Sequence, residues 1–395
     1  MKRFFSYIIL SFFLLLLPTG QASANNNDSI RLSLLTCAPG EEIYSLFGHT
    51  AIRYENSSQG IDVVFNYGLF SFNTPNFIFR FSLGETDYQL GATDYERFAA
   101  EYAFFGRSVW QQTLNLTDEE KTELIRLLQE NYRPENRVYR YNFFYDNCAT
   151  RPRDKIEESI AGKVIYPAEP QDGSLTFRDI VHQYCKGHPW ARFGIDLCIG
   201  SEADQPITQR QMMFAPFYLM DAFDGAQIKG DSIQRPLITA NELIVDATPE
   251  PDESDWMPTP LQCSLLLFIL TAAATIYGIR RRTGLWGIDL FLFGIAGIVG
   301  CVLAFLALFS QHPAVSSNFL LLVFHPGQLL FLPYIIYCVR KGKKCWYLTL
   351  NLAVLTLFIV LFPVIPQRFD FAVVPLALVL LIRSASNLIV TSKKK

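Results

Sequence analysis

Residues 141–154 read YNFFYDNCATRPRD and place one cysteine, Cys148, at the start of a predicted helix that runs to about residue 160. A helix N-terminus presents unpaired N–H groups and a partial positive charge, and such settings lower a thiol pKa from about 8.5 to roughly 3.5–7.5. The amide of Cys148 would also be placed to stabilise an oxyanion. The stretch therefore predicts a nucleophilic thiolate, although a buried apolar side chain or half of a disulfide is the commoner role of a cysteine in an exported protein.

A second stretch, FGHTAIRY at residues 47–54, places His49 at the start of a predicted strand. A nearby imidazole can pair with a thiolate and shuttle its proton, whereas the other interpretation of His49 is a hydrogen-bonded core histidine. The five histidines and the cysteines form no zinc-type cluster in the sequence, which also has neither a glycine-rich phosphate loop nor a G-x-S-x-G elbow. We therefore expect thiol chemistry without a metal or cofactor.

The pattern around these two stretches is typical of a mixed α and β domain. Alternating, β-branched or aromatic residues indicate strands, and such runs occur at residues 30–35, 50–54, 62–65 and 108–114. Residues 118–129 are predicted to form a helix with Thr117 as its N-cap and Glu120 completing a capping box.

Composition divides the chain into two parts. Half of the residues are hydrophobic, 18% are charged and the mean hydropathy is positive, which excludes a disordered protein and a nucleic-acid-binding one. The net charge of −3 combines +10 in residues 257–395 with −13 before them. An acidic region is thus joined to a basic, apolar one, as expected for a membrane protein with a soluble half.

The N-terminus has the pattern of a secretory signal peptide over residues 1–24. Lys2 and Arg3 precede an apolar run at residues 4–18, and Ala22 and Ala24 form an A-x-A-like cleavage site. The exported domain would then span residues 25–247, followed by a proline- and acid-rich linker at residues 248–260.

The C-terminal part predicts an all-α transmembrane domain at residues 261–392, because one span needs about 20 apolar residues. Five candidate helices cover residues 261–279, 285–309, 319–339, 347–365 and 371–390. Basic clusters at residues 280–282, 340–344 and 393–395 fall on one side, which the positive-inside rule assigns to the cytoplasm. We expect a multi-pass protein of the bacterial inner membrane, with its soluble domain in the periplasm and its C-terminus in the cytoplasm.

Two ionisable residues lie within the predicted spans. His325 precedes Pro326 and Gly327 and interrupts the third span, so it is a candidate substrate-binding residue at a break that opens a groove for an acyl chain, or else the centre of a packing kink. Arg383 lies near the cytoplasmic end of the last span, and we expect it to snorkel to the membrane surface.

The order of the two candidate residues resembles a known arrangement. A strand-opening His-x-Ala-Ile followed much later by a helix-opening Asn-Cys is similar to the permuted papain-like fold of the NlpC and lecithin:retinol acyltransferase group, and His49–Ile52 with Asn147 and Cys148 follow that layout. The resemblance implies an α+β fold and a third catalytic position on the next strand, which here is Asn66. An amide at that position can hold the imidazole by accepting its N–H.

A narrower resemblance covers residues 30–390. It rests on LTCAPG at residues 35–40, FGHTA at 47–51, FNYG at 65–68, YDNCAT at 145–150 and GIDL at 194–197, together with the multi-helix tail. These motifs resemble the Lnb family, which is similar to the enzymes that N-acylate bacterial lipoproteins. The resemblance implies that an acyl chain passes from a membrane phospholipid, through a cysteine thioester, to the α-amine of a diacylglyceryl-cysteine. The implied partners are a phospholipid donor, diacylated lipoproteins and the lipid bilayer, with no nucleic acid.

Other side chains near the candidate site allow two interpretations each. Arg151 and Arg153 follow the nucleophile by about one turn and could bind a lipid phosphate, or they could form a solvated helix face. Cys185 and Cys198 could form a disulfide in an oxidising periplasm, which would leave Cys37 unpaired.

Two functions besides acyl transfer stay open at this point. A membrane-tethered thiol hydrolase, either a phospholipase or a peptidase, would use the same residues with water or a peptide bond in place of the lipoprotein amine or the lipid ester. A non-catalytic envelope protein would use His49 and Cys148 only structurally.

Overall fold

The computed structural model describes residues 29–71, 73, 75–230, 234–247 and 257–392. They form an α/β domain with an antiparallel sheet, followed by a helical, membrane-like region. The predicted signal peptide and most of the predicted linker lie outside the described residues.

The soluble domain is built on a seven-stranded sheet in the order β10-β5-β1-β2-β3-β4-β6, in which every neighbouring pair is antiparallel. A smaller sheet has the order β7-β8-β9. The strands are β1 Ile30–Cys37, β2 His49–Asn56, β3 Ile61–Leu69, β4 Asp87–Asp94, β5 Val109–Leu114, β6 Val138–Arg140, β7 Lys163–Ile165, β8 Gln227–Lys229, β9 Gln234–Pro236 and β10 Ile238–Val245. The four strands predicted from sequence are confirmed as β1, β2, β3 and β5.

Eight helices of the soluble domain lie in the described residues: α1 Phe77–Ser82, α2 Tyr95–Phe104, α3 Asp118–Tyr132, α4 Thr150–Ser159, α5 Phe177–Tyr184, α6 Pro189–Cys198, α7 Gln209–Met212 and α8 Pro216–Asp224. The predicted capping box of α3 is confirmed. The Thr117 hydroxyl accepts from the Glu120 N–H at 3.3 Å, and the Thr117 N–H donates to the Glu120 carboxylate at 2.8 Å. This reciprocal pair satisfies two N–H groups that a helix start otherwise leaves open.

Apolar side chains cover both faces of the large sheet. Successive side chains of a strand point to opposite faces of the sheet. Leu34 and Ile52 therefore face one core, which also contains Ile156 of α4. Leu35 and Ala51 face the other core, which also contains Phe98 of α2. Burial on both faces fixes the register of β1 and β2, since a slip by one residue would exchange the two apolar sets.

That register brings several strand ends to one end of the sheet. Cys37 at the end of β1 pairs with His49 at the start of β2, and Val109 at the start of β5 pairs with Cys37. Leu69 at the end of β3 pairs with Gln89 near the start of β4. We call this part of the molecule the His49 end of the sheet.

The membrane region departs from five uninterrupted spans. Three helices are long and apolar enough to cross a bilayer: α9 Pro260–Arg281, α10 Trp286–Phe309 and α14 Val373–Ser392. The third predicted span, residues 319–339, is divided into a short 3₁₀ turn, α11 Pro326–Leu330 and α12 Leu332–Lys341, with a bend of 73°. Helix α11 begins directly after His325, where the sequence predicts an interruption. The next helix, α13 Trp346–Leu361, has 16 residues. By length and composition, three helices among the described residues could cross a membrane, or four if the bent pair counts as one, and α13 is a shorter apolar helix.

Arg383 does not snorkel, contrary to the prediction. Its side chain is buried on α14, where Nε donates to one oxygen of Asp289 at 2.7 Å and Nη2 to the other at 3.0 Å. Nη1 donates to the Thr275 hydroxyl at 3.0 Å. The paired carboxylate on α10 is the reason, because a matched, hydrogen-bonded counter-ion compensates the cost of keeping a guanidinium out of water.

Loops between the membrane helices bind the soluble domain directly. Arg368 donates to Asp179 at 2.6 Å, to Asp204 at 2.9 Å and to Thr176 at 2.6 Å. Asn318 donates to the carbonyl of Leu197 at 2.7 Å. These contacts place the soluble domain over the ends of the helices that lie opposite the predicted cytoplasmic clusters.

Beneath this interface, Arg178 is fully buried and binds Asp196 at 2.6 Å and Asp204 at 2.9 Å. We expect Arg178→Met to destabilise the protein by about 3–5 kcal/mol, because buried Asp196 loses its arginine and Asp204 keeps only Arg368. Thermal unfolding of the purified full chain measures the loss. In the matched control, Arg126→Met removes exposed pairs with Glu123 and Glu130, for which we expect about 0–1 kcal/mol. Equal losses in both variants would show that burial of the Arg178 pairs adds nothing to stability.

Candidate active site

His49 and Asn66 meet across two neighbouring strands. Asn66 of β3 pairs with Ala51 of β2, and His49 lies two residues before Ala51, so all three side chains share one face of the sheet. His49 Nε2 lies 3.2 Å from the Asn66 amide oxygen. Because that oxygen can only accept, Nε2–H is the donor and Nδ1 carries the free lone pair. The arrangement leaves the imidazole oriented as a base through Nδ1.

Cys148 lies in the turn just before α4, which begins at Thr150 rather than at Cys148 as predicted. Asn147 holds this turn. Its side-chain oxygen accepts from the N–H groups of Ala149 at 2.8 Å and Thr150 at 2.9 Å, while its amide nitrogen donates to the carbonyls of Phe143 and Phe214. The asparagine before the cysteine therefore fixes the backbone that carries the thiol.

The His49 end of the sheet also receives Cys148. A Cβ built on Gly68 in β3 would lie 3.6 Å from Cys148 Cβ, and Gly68 has a φ of +92°, a conformation that favours glycine. The thiol also accepts a backbone hydrogen bond from Thr50, the residue after His49. The three residues predicted as catalytic, Cys148, His49 and Asn66, are thus gathered at the same end of the sheet.

Burial sets the protonation of both reactive groups. It raises the pKa of the Cys148 thiol to about 11, against the lowering effect of backbone hydrogen bonds from Thr50 and from Cys148 itself. Burial also lowers the pKa of His49 to about 4, although its hydrogen bond with Asn66 raises it in part. The raised thiol pKa contradicts the predicted low-pKa thiolate for the free protein, because Cys148 is half-buried and precedes the helix. At neutral pH the site holds a thiol and a neutral imidazole.

Arg107 is a site residue that the sequence pattern did not single out. Its Nε donates to the carbonyl of Ala38 at 2.8 Å, its guanidinium lies over the Tyr102 ring at 4.8 Å, and its charge contributes to the lowered pKa of His49. The usable signal was its position directly before the predicted strand at residues 108–114, whose start lies opposite Cys37. A cation is thus available at the His49 end of the sheet.

The cysteines form no disulfide. All eight lie in the described part of the chain and all are free, including the expected pair Cys185 and Cys198. Cys185 is instead packed in an apolar cluster, and burial raises its pKa to about 11. Cys37, opposite His49, is buried, and its pKa is raised to about 12. Cys37 is fully buried and therefore out of reach of a substrate, whereas Cys148 is half-buried.

The two arginines that follow Cys148 already have partners within the protein. Arg151 binds Asp146 through two hydrogen bonds of 2.6 and 2.8 Å and lies 3.5 Å over the Tyr139 ring. Arg153 is buried, donating to Asp154 at 2.8 Å and to the carbonyl of Arg210 at 3.0 Å. A lipid phosphate could bind either arginine only by displacing these partners. The two side chains do not form a solvated helix face either, because both are held by other parts of the protein.

His325 lies in the membrane region, at the start of α11. Its Nε2 is 3.3 Å from the Asn351 amide oxygen on α13, and a Cβ on Gly300 of α10 would lie 2.5 Å or less from its backbone. The interruption of the third span at His325 therefore packs closely against Gly300 of α10. The contacts of the His325 side chain are with other membrane helices.

Iodoacetamide reacts with a thiolate and not with a thiol. Because the pKa of Cys148 is raised to about 11, we expect its alkylation rate to rise about tenfold per pH unit between about pH 7 and 9. Mass spectrometry of the Cys148 peptide measures the rate. His49→Ala should keep the same slope, since no ion pair is lost. A rate that is already constant from about pH 5 upward, and falls in the His49 variant, would instead indicate a preformed thiolate–imidazolium pair.

Comparison with known proteins agrees with this two-part organisation. The Lnb N-terminal periplasmic domain matches residues 20–182, and the Lnb transmembrane domain matches residues 252–395. No curated protein and no solved structure shows significant similarity. The two matches include all three residues gathered at the His49 end of the sheet as well as the membrane helices. The chain belongs to the Lnb family.

Proposed function

We propose that this protein is a membrane-bound lipoprotein N-acyltransferase with a permuted papain-like catalytic domain. The observation that carries the proposal is the meeting of Cys148, His49 and Asn66 at one end of the sheet in a chain with both Lnb domains. A thiol and an oriented imidazole, here gathered at one end of the sheet, are the groups that covalent acyl transfer uses. The donor is a phospholipid, and the acceptor is the α-amine of the diacylglyceryl-cysteine that begins a lipoprotein.

In the first half-reaction, Cys148 attacks the ester carbonyl of the phospholipid. His49 Nδ1 accepts the thiol proton as the sulfur–carbon bond forms, which suits a neutral pair whose thiol pKa is high and whose imidazole pKa is low. The backbone N–H groups of Thr50 and Cys148, which already point to the sulfur, are donors for the oxyanion. The carbon–oxygen bond then breaks, His49 returns the proton to the departing alkoxide, and a lysophospholipid leaves.

In the second half-reaction, the lipoprotein α-amine attacks the thioester of Cys148. His49 removes a proton from the nitrogen, the carbon–sulfur bond breaks, and the proton passes to the sulfur. An amide is formed and the free thiol is restored. No metal or cofactor takes part in either step of this scheme.

Partial burial of the site is compatible with transfer rather than hydrolysis. Desolvation is the main cause of both pKa shifts, and Cys148 and His49 are half-buried in the free protein. A bound acyl chain that covers them would complete the exclusion of water and protect the thioester until the amine arrives. A thiol phospholipase would use the same first half-reaction but needs water as its second substrate.

The proposed place of the reaction is the outer leaflet of the inner membrane, where both substrates reside. The connection from β3 to β4, at the His49 end of the sheet, touches the membrane domain: Gln311 N–H donates to the carbonyl of Leu83 at 2.8 Å. The predicted cytoplasmic clusters at residues 280–282 and 340–344 flank the opposite ends of the helices. This arrangement supports a periplasmic catalytic domain and a cytoplasmic C-terminus.

The direct test is a mass spectrum of the N-terminal lipopeptide of one reporter lipoprotein in bacteria depleted of their own N-acyltransferase. We expect a third, amide-linked acyl chain with the wild-type protein and its loss with Cys148→Ala. Cys198→Ala, which changes a free cysteine outside the site, should keep the modification. An unmodified amine with the wild type, with the protein confirmed in the membrane, would contradict the transferase, and release of free fatty acid would indicate the hydrolase.

Asn66 is proposed to position His49 rather than to react. We expect Asn66→Ala to lower kcat by about ten- to a hundredfold with little change in KM, because the imidazole loses its only side-chain hydrogen bond among the described residues. His49→Ala should cost more, about 10²–10⁴-fold, since general base catalysis itself is lost. Transfer assays on purified enzyme in lipid vesicles measure both. Equal losses in the two variants, or a rise in KM alone for Asn66→Ala, would contradict this division of roles.

A further inference from the structure

Two apolar side chains of the soluble domain are unusually exposed. Phe104 is 83% exposed and Ile78 is 80% exposed, more than any other large hydrophobic side chain in the described residues, including those on the membrane helices. Exposed apolar side chains that cluster on a soluble domain mark a site that binds another protein or a membrane.

Both side chains lie at the His49 end of the sheet. Ile78 is on α1, in the connection from β3 to β4, and Phe104 ends α2, which returns to the start of β5. The loop between β1 and β2 reaches the same end. Six large apolar side chains in these three connections are more than half exposed, and we call them the apolar rim: Ile43, Tyr44, Ile78, Phe79, Phe104 and Phe105.

The rim is continuous with the surface that the membrane helices present to lipid. The rings of Phe79 on α1 and Phe305 on α10 have centroids 6.0 Å apart. Past the end of α10, His312 Nε2–H donates to the carbonyl of Phe81 at 2.6 Å. The last residues of α10, Leu308 and Phe309, are themselves exposed. Helix α1 therefore lies at the level where α10 leaves the hydrocarbon core.

A chain of aromatic rings connects the rim with the nucleophile. Tyr141 and Cys148 both approach Gly68, with contacts of 4.0 and 3.6 Å to the position of its Cβ. From Tyr141, ring contacts lead through Tyr88, Phe70 and Phe77 to Phe81 on α1, with centroid separations of 4.2, 5.0, 5.8 and 6.0 Å. Apolar ring surfaces thus extend from α1 to the neighbourhood of the thiol, and an acyl chain could lie along them.

We propose that the apolar rim is inserted into the outer surface of the bilayer, so that lipid covers it. An acyl chain would then pass from the bilayer onto the row of aromatic rings that leads to Cys148. Membrane lipid is the occupant because the rim is joined to a lipid-facing helix through Phe79, and because aromatic and aliphatic side chains are the residues that partition to this depth. The membrane contact itself does not depend on the transferase chemistry. The use of the aromatic path by an acyl chain rests on the proposed function.

The test uses the full chain in vesicles that contain phosphatidylcholine brominated on its acyl chains, which quenches nearby tryptophan. Phe104→Trp and Ile78→Trp are compared with Gln59→Trp in the exposed turn between β2 and β3, at the opposite end of the sheet. After subtraction of the parent signal, we expect strong quenching and a blue-shifted emission at positions 104 and 78 and neither at 59. Emission at 104 and 78 that is quenched no more than at 59 would overturn the proposal, and would favour a protein partner.

A second variant separates the rim from the chemistry. In I78E/F104E, we expect acyl transfer from vesicle phospholipid to fall at least tenfold, whereas iodoacetamide should alkylate Cys148 as fast as in the parent, since both changes are on exposed side chains. Unchanged transfer would overturn a role for the rim in substrate access. Quenching at 104 and 78 in a protein that transfers no acyl chain would uphold the membrane contact and contradict the proposed function instead.

Discussion

The antiparallel register of β1, β2 and β3 is the constraint on which the candidate site depends. It sets His49 at the first residue of β2 and Asn66 diagonally across from it, so that their side chains can form one hydrogen bond of 3.2 Å. Apolar side chains on both faces of these strands hold the register, since a slip by one residue would turn His49 away from Asn66. The geometry of the site is thus a consequence of core packing several residues away.

The same packing determines the chemistry. A thiol at a water-exposed helix N-terminus would ionise readily, but Cys148 is surrounded by the sheet end and by tyrosines, and burial raises its pKa to about 11. Burial acts on the base in the opposite sense, which keeps His49 neutral. Both shifts favour the uncharged thiol and imidazole. In the proposed mechanism, proton transfer therefore has to accompany attack on the carbonyl, because the two groups are not yet ionised when the acyl ester arrives.

Much of this could be predicted from the sequence. The strands, the Thr117 capping box and the residue types at positions 49, 66 and 148 follow local patterns that the structure keeps. The predictions that were wrong or missing concern properties that depend on contacts between residues far apart in the sequence. The thiol pKa depends on burial by distant strands, Arg383 is held by Asp289, 94 positions away, and Arg107 becomes a site residue only because β5 pairs with β1. The break in the third membrane segment was visible in His325 and Pro326, but the 73° bend depends on packing against α10.

Attachment of the soluble domain to the membrane helices links the sheet to the bilayer. Arg368 and Asn318 fasten the side formed by α5 and α6, while α1 contacts the end of α10 on another side. Two separate attachments leave a rigid domain little freedom to tilt, because rotation about one would break the other. The His49 end of the sheet is consequently held close to the membrane surface without closure of a lid. For the proposed reaction between a phospholipid and a lipid-anchored acceptor, this fixed placement would supply the proximity that an enzyme in solution has to gain by binding each substrate separately.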